Sequence, residues 1–157
     1  MPELPEVETV KESLKLRLSN KKIIRTRVLW DNIIAYPSKE KFIKETANQS
    51  INDVKRRGKF LLFDLDDYYL LSHLRMEGKY FFKTKDDDIN KHEHVIFDLD
   101  DGSELRYMDT RKFGKMYLIK KEDIDKIGPL VELGLEPWDD NLTSEYLIDK
   151  YKKKKLF

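Results

Sequence analysis

The chain of 157 residues contains no cysteine. That excludes disulfides and any cysteine-ligated zinc site built from this chain alone. An excess of either charge is also missing: 31 basic residues stand against 30 acidic ones, for a formal net charge of +1. The global basicity of many nucleic-acid binders is therefore absent, and any polyanion must be met by a local patch. Long apolar runs are lacking too, and the first residues are acidic rather than basic. Neither a membrane span nor a secretory leader is expected, so a cytosolic protein is. No internal repeat is visible, and the length suits one domain with a sizeable core.

What is present is a high charge content, 39% of residues, around short β-rich segments. A helix opens the chain: Pro5 suits a first helical position, Glu6 and Glu8 complement the dipole, and Val7, Val10, Leu14 and Leu18 recur at helical spacing. A short helix is expected over Lys39–Asn48, capped by Ser38, with Phe42, Ile43 and Ala47 as its apolar side. Strands are expected over Ile23–Trp30, Ile51–Arg57, Phe60–Asp64, Tyr69–Leu74, Lys79–Lys83, Val95–Asp98, Glu104–Asp109 and Lys115–Ile119. They are rich in β-branched and aromatic residues and are separated by turn signals such as Asp66-Asp67 and Asp100-Asp101-Gly102. The fold class is thus α+β: an antiparallel β-sandwich of about eight strands flanked by the N-terminal helix and further short helices. Lys85–Lys91 reads as a polar, Asp-rich loop. A last helix is expected from Thr143 into Lys152-Lys153-Lys154-Lys155, a run that looks like a segment cut short; composition alone equally allows a solvated tail.

Four segments carry chemistry. The first is Met1-Pro2-Glu3-Leu4-Pro5-Glu6-Val7-Glu8. Removal of Met1 leaves a terminal proline, a secondary amine able to attack an electrophilic carbon and give an iminium ion. A free α-amino group titrates near pKa ~7.7–8.0 against ~10.4 for lysine, which leaves roughly a hundredfold more free base at neutral pH. Glu3 lies one residue away, placed to move protons. On these residues alone, an ordinary acidic helix start is the better reading.

The second is Val54-Lys55-Arg56-Arg57-Gly58-Lys59-Phe60, either a charged strand edge that discourages pairing or a phosphate clamp in which Gly58 allows close backbone approach. The third is Ser72-His73-Leu74-Arg75-Met76-Glu77-Gly78, where Met76 is either core beside a hairpin or an exposed wedge for a base stack. The fourth is Tyr107-Met108-Asp109-Thr110-Arg111-Lys112-Phe113-Gly114. Here Phe113 either begins a core strand or inserts between base steps beside Arg111, and spacing leaves the two readings even.

Taken together, these motifs resemble one family, bacterial formamidopyrimidine-DNA glycosylase. The resemblance is carried by Pro2-Glu3-Leu4-Pro5-Glu6-Val7-Glu8-Thr9, Arg56-Arg57-Gly58-Lys59-Phe60, His73-Leu74-Arg75-Met76-Glu77-Gly78, Lys91-His92-Glu93-His94-Val95, Asp109-Thr110-Arg111-Lys112-Phe113-Gly114 and Leu133-Gly134-Leu135-Glu136-Pro137. They run in order along essentially the whole chain. The Glu-Leu-Pro opening is more similar to this branch than to endonuclease VIII.

The resemblance implies excision of oxidised purines (8-oxoguanine and ring-opened formamidopyrimidines) from duplex DNA, followed by strand cleavage at the abasic site. It implies Pro2 as the nucleophile on the sugar C1′, Glu3 as the acid/base for sugar-ring opening, Lys59 as the lysine of β-elimination and Glu6 as a supporting acid. Met76, Arg111 and Phe113 would fill the void left by the extruded base, with Arg111 toward the orphaned cytosine. His73, His92 and Lys155 or Lys154 would contact phosphates. The partner is damaged double-stranded DNA, the expected state is a monomer, and the expected location is cytoplasmic, on the bacterial nucleoid.

The resemblance further implies a second half with a helix–two-turns–helix module and a four-cysteine zinc finger. This chain lacks both, so residues 1–140 are expected to form the N-terminal catalytic domain and 141–157 the start of the connection onward. No cofactor or metal is expected in this chain; the structural zinc belongs to the absent half. An alternative of another class is a non-catalytic β-sandwich that binds DNA or a protein. Retention of Met1, read by intact mass, would favour it by converting the Pro2 nitrogen to an amide.

Overall fold

The computed structural model describes residues 4–75 and 78–130, with side chains from Val7 onward. The chain opens with α1 (Leu4–Leu18), then β1 (Lys21–Val28), a 3-10 turn (Asp31–Ile33), β2 (Ile34–Tyr36) and α2 (Lys39–Thr46). Eight further strands follow: β3 (Ser50–Ile51), β4 (Asp53–Arg57), β5 (Phe60–Asp64), β6 (Tyr68–His73), β7 (Lys79–Thr84), β8 (Glu93–Leu99), β9 (Ser103–Met108) and β10 (Lys115–Lys120), closed by a 3-10 turn at Lys121–Asp123. They form two five-stranded sheets, ordered β3-β1-β8-β9-β7 and β2-β10-β6-β5-β4. All described pairings are antiparallel except β10 with β2.

The fold class is the α+β sandwich read from the sequence, with ten strands in place of about eight. The stretch expected as one strand, Ile51–Arg57, is two. Ile51 pairs with Lys21 in one sheet, whereas Asp53–Arg57 pairs with β5 in the other, and the Asn52 N–H between them bonds Asp64 O at 2.7 Å. The second addition, β2, is three residues long and is held by β10, a partner distant in sequence. The expected last helix and its lysines lie outside the described residues.

The core follows from alternation. Val95, Phe97 and Leu99 of β8 and Leu105 and Tyr107 of β9 point between the sheets, where they meet Leu61 and Phe63 of β5 and Met116 and Leu118 of β10. Phe60, Leu62, Leu71 and Ile119 face the other side of their sheet and are covered by Ile124 and Leu130, which explains why β5 is apolar on both faces. The helix α1 buries Val7, Leu14 and Leu18 in the central cluster and packs on β4, the edge of one sheet; its Arg17 guanidinium lies 3.7 Å over the Phe82 ring on β7, the edge of the other. On the opposite side α2 packs on β1 and β2, with Phe42 against Phe97. The two helices thereby cover sheet edges that would otherwise template further pairing. Ser38 caps α2 as expected, accepting from Lys41 N–H at 3.2 Å. The buried partner of Phe42 is Thr46, not Ala47.

Candidate functional site

The strand directions bring every described site residue to one end of the sandwich. In the second sheet, Arg57 of β4 lies opposite Phe60 of β5, Phe60 opposite His73 of β6, and His73 opposite Lys115 of β10. These four form a cross-strand row at the mouth of the β4–β5, β6–β7 and β9–β10 turns. In the first sheet, Lys79, Met108 and Glu93 form the matching row at the same end, with His92 just before it. Lys59, His73, Arg75, His92, Arg111, Lys112 and Phe113 therefore share one end. The other end carries Asp66 and Asp67, Asp100 and Asp101, and Glu122 and Asp123. That end also carries Lys21, Lys22, Lys120 and Lys121, so an anion is met by a local cationic patch at the site end and not by a charge imbalance of the whole molecule.

The turn bearing Lys59 is tight, with Gly58 at φ +61°, a left-handed conformation that glycine adopts without strain. Next to it, the Phe60 ring stacks on His73 (centroids 4.6 Å apart, planes 26° apart) and meets Tyr117 edge-on. Burial, then the charges of Arg75 and Lys59, push the His73 imidazole down to about 4, so it is neutral at pH 7. A neutral imidazole still offers one N–H to a phosphate, and it does not compete with Lys59 for that anion's charge.

The start of α1 lies beside this turn. Arg56 Nε donates to Glu8 Oε1 at 2.7 Å, while Lys15 pairs with Asp53 at 3.2 Å, so α1 runs antiparallel to β4. From Glu8 to Leu4 the helix advances ~6 Å at its usual rise. From Arg56 to Gly58 the strand direction advances ~7 Å. Leu4 thus comes level with the Gly58–Lys59 turn. Burial raises the Glu8 carboxyl, but hydrogen bonds from Lys11 and Arg56 outweigh it and hold it below the ordinary range.

The β9–β10 turn is built around Asp109, which is fully buried. Its Oδ1 accepts the N–H of Arg111 and of Lys112, each at 3.1 Å; its Oδ2 accepts the Gly114 N–H at 2.8 Å and the Tyr107 hydroxyl at 3.1 Å. Burial, followed by the nearby Tyr80 and Asp109, pushes the Tyr107 hydroxyl far above its ordinary range, so it remains a donor. The carboxylate thus turns Arg111, Lys112 and Phe113 outward. Phe113 is 49% exposed and does not begin a core strand, which excludes the core reading.

The β6–β7 turn is closed by Gly78 N–H on Leu74 O at 3.0 Å, and Gly78 and Gly114 both press on the Tyr107 hydroxyl. A Cβ at Gly114 would sit 1.8 Å from that oxygen and one at Gly78 2.3 Å from it. The two turns that flank the site are therefore packed through one phenol. His92 is fixed through its backbone: its N–H donates to Asn90 Oδ1 and its carbonyl accepts from Asp109 N–H.

Pro2, Glu3, Met76, Lys154 and Lys155 lie outside the described residues, as does the side chain of Glu6. The supporting residues Asp109, Tyr107, Trp30 and His94 were not singled out for a role in the sequence. An Asp followed within five residues by a glycine is the signal that could have found Asp109, because a short carboxylate readily caps the N–H groups just after it. The zinc implied by the resemblance has no donor set here. Cysteine is absent, and among the described residues no three His, Asp or Glu stand close enough to hold a metal ion. No described helix is long and apolar enough to cross a membrane.

Residues 1–116 match the model of the formamidopyrimidine-DNA glycosylase N-terminal domain. The chain is 48% identical over 154 residues to formamidopyrimidine-DNA glycosylase of Cytobacillus firmus and 47% identical over 154 residues to that of Bacillus subtilis. Each alignment covers 98% of this chain and 56% of the relative, so the chain spans just over half the length of those proteins. Among solved structures it is similar to the wild-type Lactococcus lactis Fpg (MutM) complex with N7-Benzyl-Fapy-dG containing DNA, with a TM-score of 0.74 and 40% identity, covering 78% of this chain and 45% of that one. A MutM complex with carbocyclic 8-oxo-G containing DNA matches with the same TM-score and identity, over 78% of this chain and 46% of the other.

Proposed function

Because the chain belongs to the formamidopyrimidine-DNA glycosylase family, we propose that it is the catalytic half of a base-excision enzyme acting on oxidised purines in duplex DNA. The observation that carries this reading is the convergence of Lys59, His73, Arg75, His92, Arg111 and Phe113 at one end of the sandwich, with the start of α1 level with Lys59.

In the proposed reaction, Met1 has been removed and the Pro2 nitrogen attacks the sugar C1′. The N–C1′ bond forms as the glycosidic bond breaks, and the departing base leaves with a proton. Glu3 protonates the ring oxygen as the sugar opens, and the nitrogen lone pair completes an iminium ion. The iminium acidifies the C2′ proton. Its removal expels the 3′ phosphate by β-elimination, with Lys59 beside that phosphate. Glu6 is assigned a supporting role.

Extruding the damaged base costs a few kcal/mol. Met76, Arg111 and Phe113 are assigned the filling of that gap, with Arg111 offering N–H donors to the unpaired base. His73, His92 and Lys155 or Lys154 are assigned backbone phosphates, which set register without reading sequence. Residues 1–140 would form the catalytic unit, with 141–157 leading onward. Strand-cleavage assays on a duplex with a single abasic site test this reading. The chain without Met1 should nick the duplex, and Lys59→Ala should nick it more slowly. Equal rates in chains with and without Met1 would overturn it.

A further inference from the structure

Strand alternation turns Arg56 inward. Val54 of β4 is fully buried in the central cluster, and Arg56, two residues on, lies on the same face of the strand, under α1. Its side chain is 8% exposed. A guanidinium in such a place is costly unless it meets acceptors, so the acceptors it meets are informative.

Arg56 donates to two different elements of the site end. Its Nε donates to Glu8 Oε1 of α1 at 2.7 Å, and its Nη1 donates to the Gly58 carbonyl of the β4–β5 turn at 3.1 Å. Gly58 directly precedes Lys59, and Glu8 lies about one helical turn along from Leu4, where α1 begins. A planar guanidinium holds both acceptors at a fixed separation, which an ammonium on a flexible stem does not. Glu8 is braced in turn by Lys11 Nζ at 2.8 Å; burial raises its carboxyl, yet the hydrogen bonds from Lys11 and Arg56 keep it ionised. The Lys15–Asp53 pair sits farther down the same seam, and its lysine is 46% exposed, so it ties the helix less firmly than the buried Arg56 does. A plain salt bridge between helix and strand needs only Glu8. The second bond, to a backbone carbonyl of the turn, joins helix and turn through one group.

We propose that Arg56 is a positioning residue for strand cleavage: by holding Glu8 and the Gly58 carbonyl together, it sets the separation between the helix that begins directly after Pro2-Glu3 and the turn that presents Lys59. This rests on the reading given above, in which Pro2 carries the sugar while Lys59 stands beside the phosphate that leaves. Formation of the adduct needs Pro2 on the sugar. Elimination from it needs Pro2 and the Lys59 turn in register on one sugar–phosphate unit, and a misplacement of ~1 Å in such a step costs on the order of 10²-fold. Loosening Arg56 therefore slows elimination more than adduct formation.

The test is single-turnover kinetics of the Met1-processed chain on an abasic-site duplex labelled at the 3′ end of the damaged strand. Borohydride quenching traps the adduct, and the label leaves it when the strand is cleaved. In Arg56→Lys the rate at which the adduct loses its label should fall about tenfold, while the rate of adduct formation should fall no more than about twofold. Only folded molecules form adduct, so a loss of stability lowers the amount of adduct and not the rate at which it goes on to cleave. Glu8→Ala should reproduce the Arg56→Lys defect, Glu8→Gln should retain most of the rate, and Arg56→Lys with Glu8→Ala should be no slower than either alone. A wild-type rate of label loss in both Arg56→Lys and Glu8→Ala overturns the positioning role and leaves the Pro2 reading standing. Penalties that add in the double variant overturn the shared tie. No adduct from the wild-type chain overturns the Pro2 reading and this inference with it.

Discussion

The Tyr107 hydroxyl donates to Asp109 Oδ2 at 3.1 Å inside the protein, with both residues fully buried. Through that pair the core reaches the surface turn that presents Arg111 and Phe113. The carboxylate also takes three backbone N–H groups, so its four acceptor sites are filled. Asp109→Asn replaces one acceptor oxygen with a donor facing donors, and should cost roughly 2–4 kcal/mol in denaturant unfolding. Tyr107→Phe removes one of the four donors, and should cost roughly 1 kcal/mol. A variant Asp109→Asn as stable as the wild type would contradict this account of the turn.

The two glycines at the Tyr107 hydroxyl should respond differently to the loss of that oxygen. Gly114→Ala and Gly78→Ala should each destabilise by about 1–3 kcal/mol, because neither methyl has room. Adding Tyr107→Phe should recover part of the Gly114→Ala loss, since the phenolic oxygen is the closest obstacle there. It should not recover Gly78→Ala, whose Cβ also meets the Leu74 carbonyl at 2.5 Å and the Leu74 Cα at 2.9 Å. Thermal midpoints of the four variants check this.

His73 should impart a pH dependence to stability. Its folded value of about 4 lies below the ordinary 6.5, so above pH 6.5 the ring is neutral in both states. As pH falls from 6.5 toward 4, the unfolded chain takes a proton that the folded chain refuses, and stability is lost. After allowance for solvent at the partly exposed ring, the loss should be on the order of 1 kcal/mol. His73→Gln should show a correspondingly smaller drop across that window in urea titrations.

A buried ion network on the outer side of the first sheet should govern the loop that leads to His92. Arg106, 1% exposed, pairs with Glu93 at 3.1 Å and Glu104 at 2.7 Å and donates to the carbonyls of Thr84, Asp87 and Asp88. Arg106→Leu leaves Glu93 with Lys83 and Glu104 with Arg27 but removes their shared cation and the donors to three carbonyls, and should cost about 3 kcal/mol. Limited proteolysis should then cut within residues 84–92 before the strands.

Strand periodicity made most of this fold readable, because the inward Leu105 and Tyr107 of β9 alternate with Glu104 and Arg106, and Phe97 and Leu99 of β8 flank Asp98. What periodicity could not show was the change of partner at Asn52, which depends on β1 and β5 being available on either side. Glu93, Glu104 and Arg106 occupy outward positions that read as solvated, yet a loop returning across the sheet buries them. At the site, the cationic turns were legible as candidates. The choice between core and surface for Phe113 was not, since it rests on the backbone cap that Asp109 supplies from four residues upstream.

The central claim is that Pro2 is a nucleophile at the basic end of this sandwich. Borohydride trapping of the Met1-processed chain on an abasic-site duplex at low salt, followed by peptide mapping of the adduct, tests it most directly. The account predicts a covalent complex attached at Pro2 and missing from chains that keep Met1. An adduct mapped to a lysine, or none from the processed chain, would contradict it.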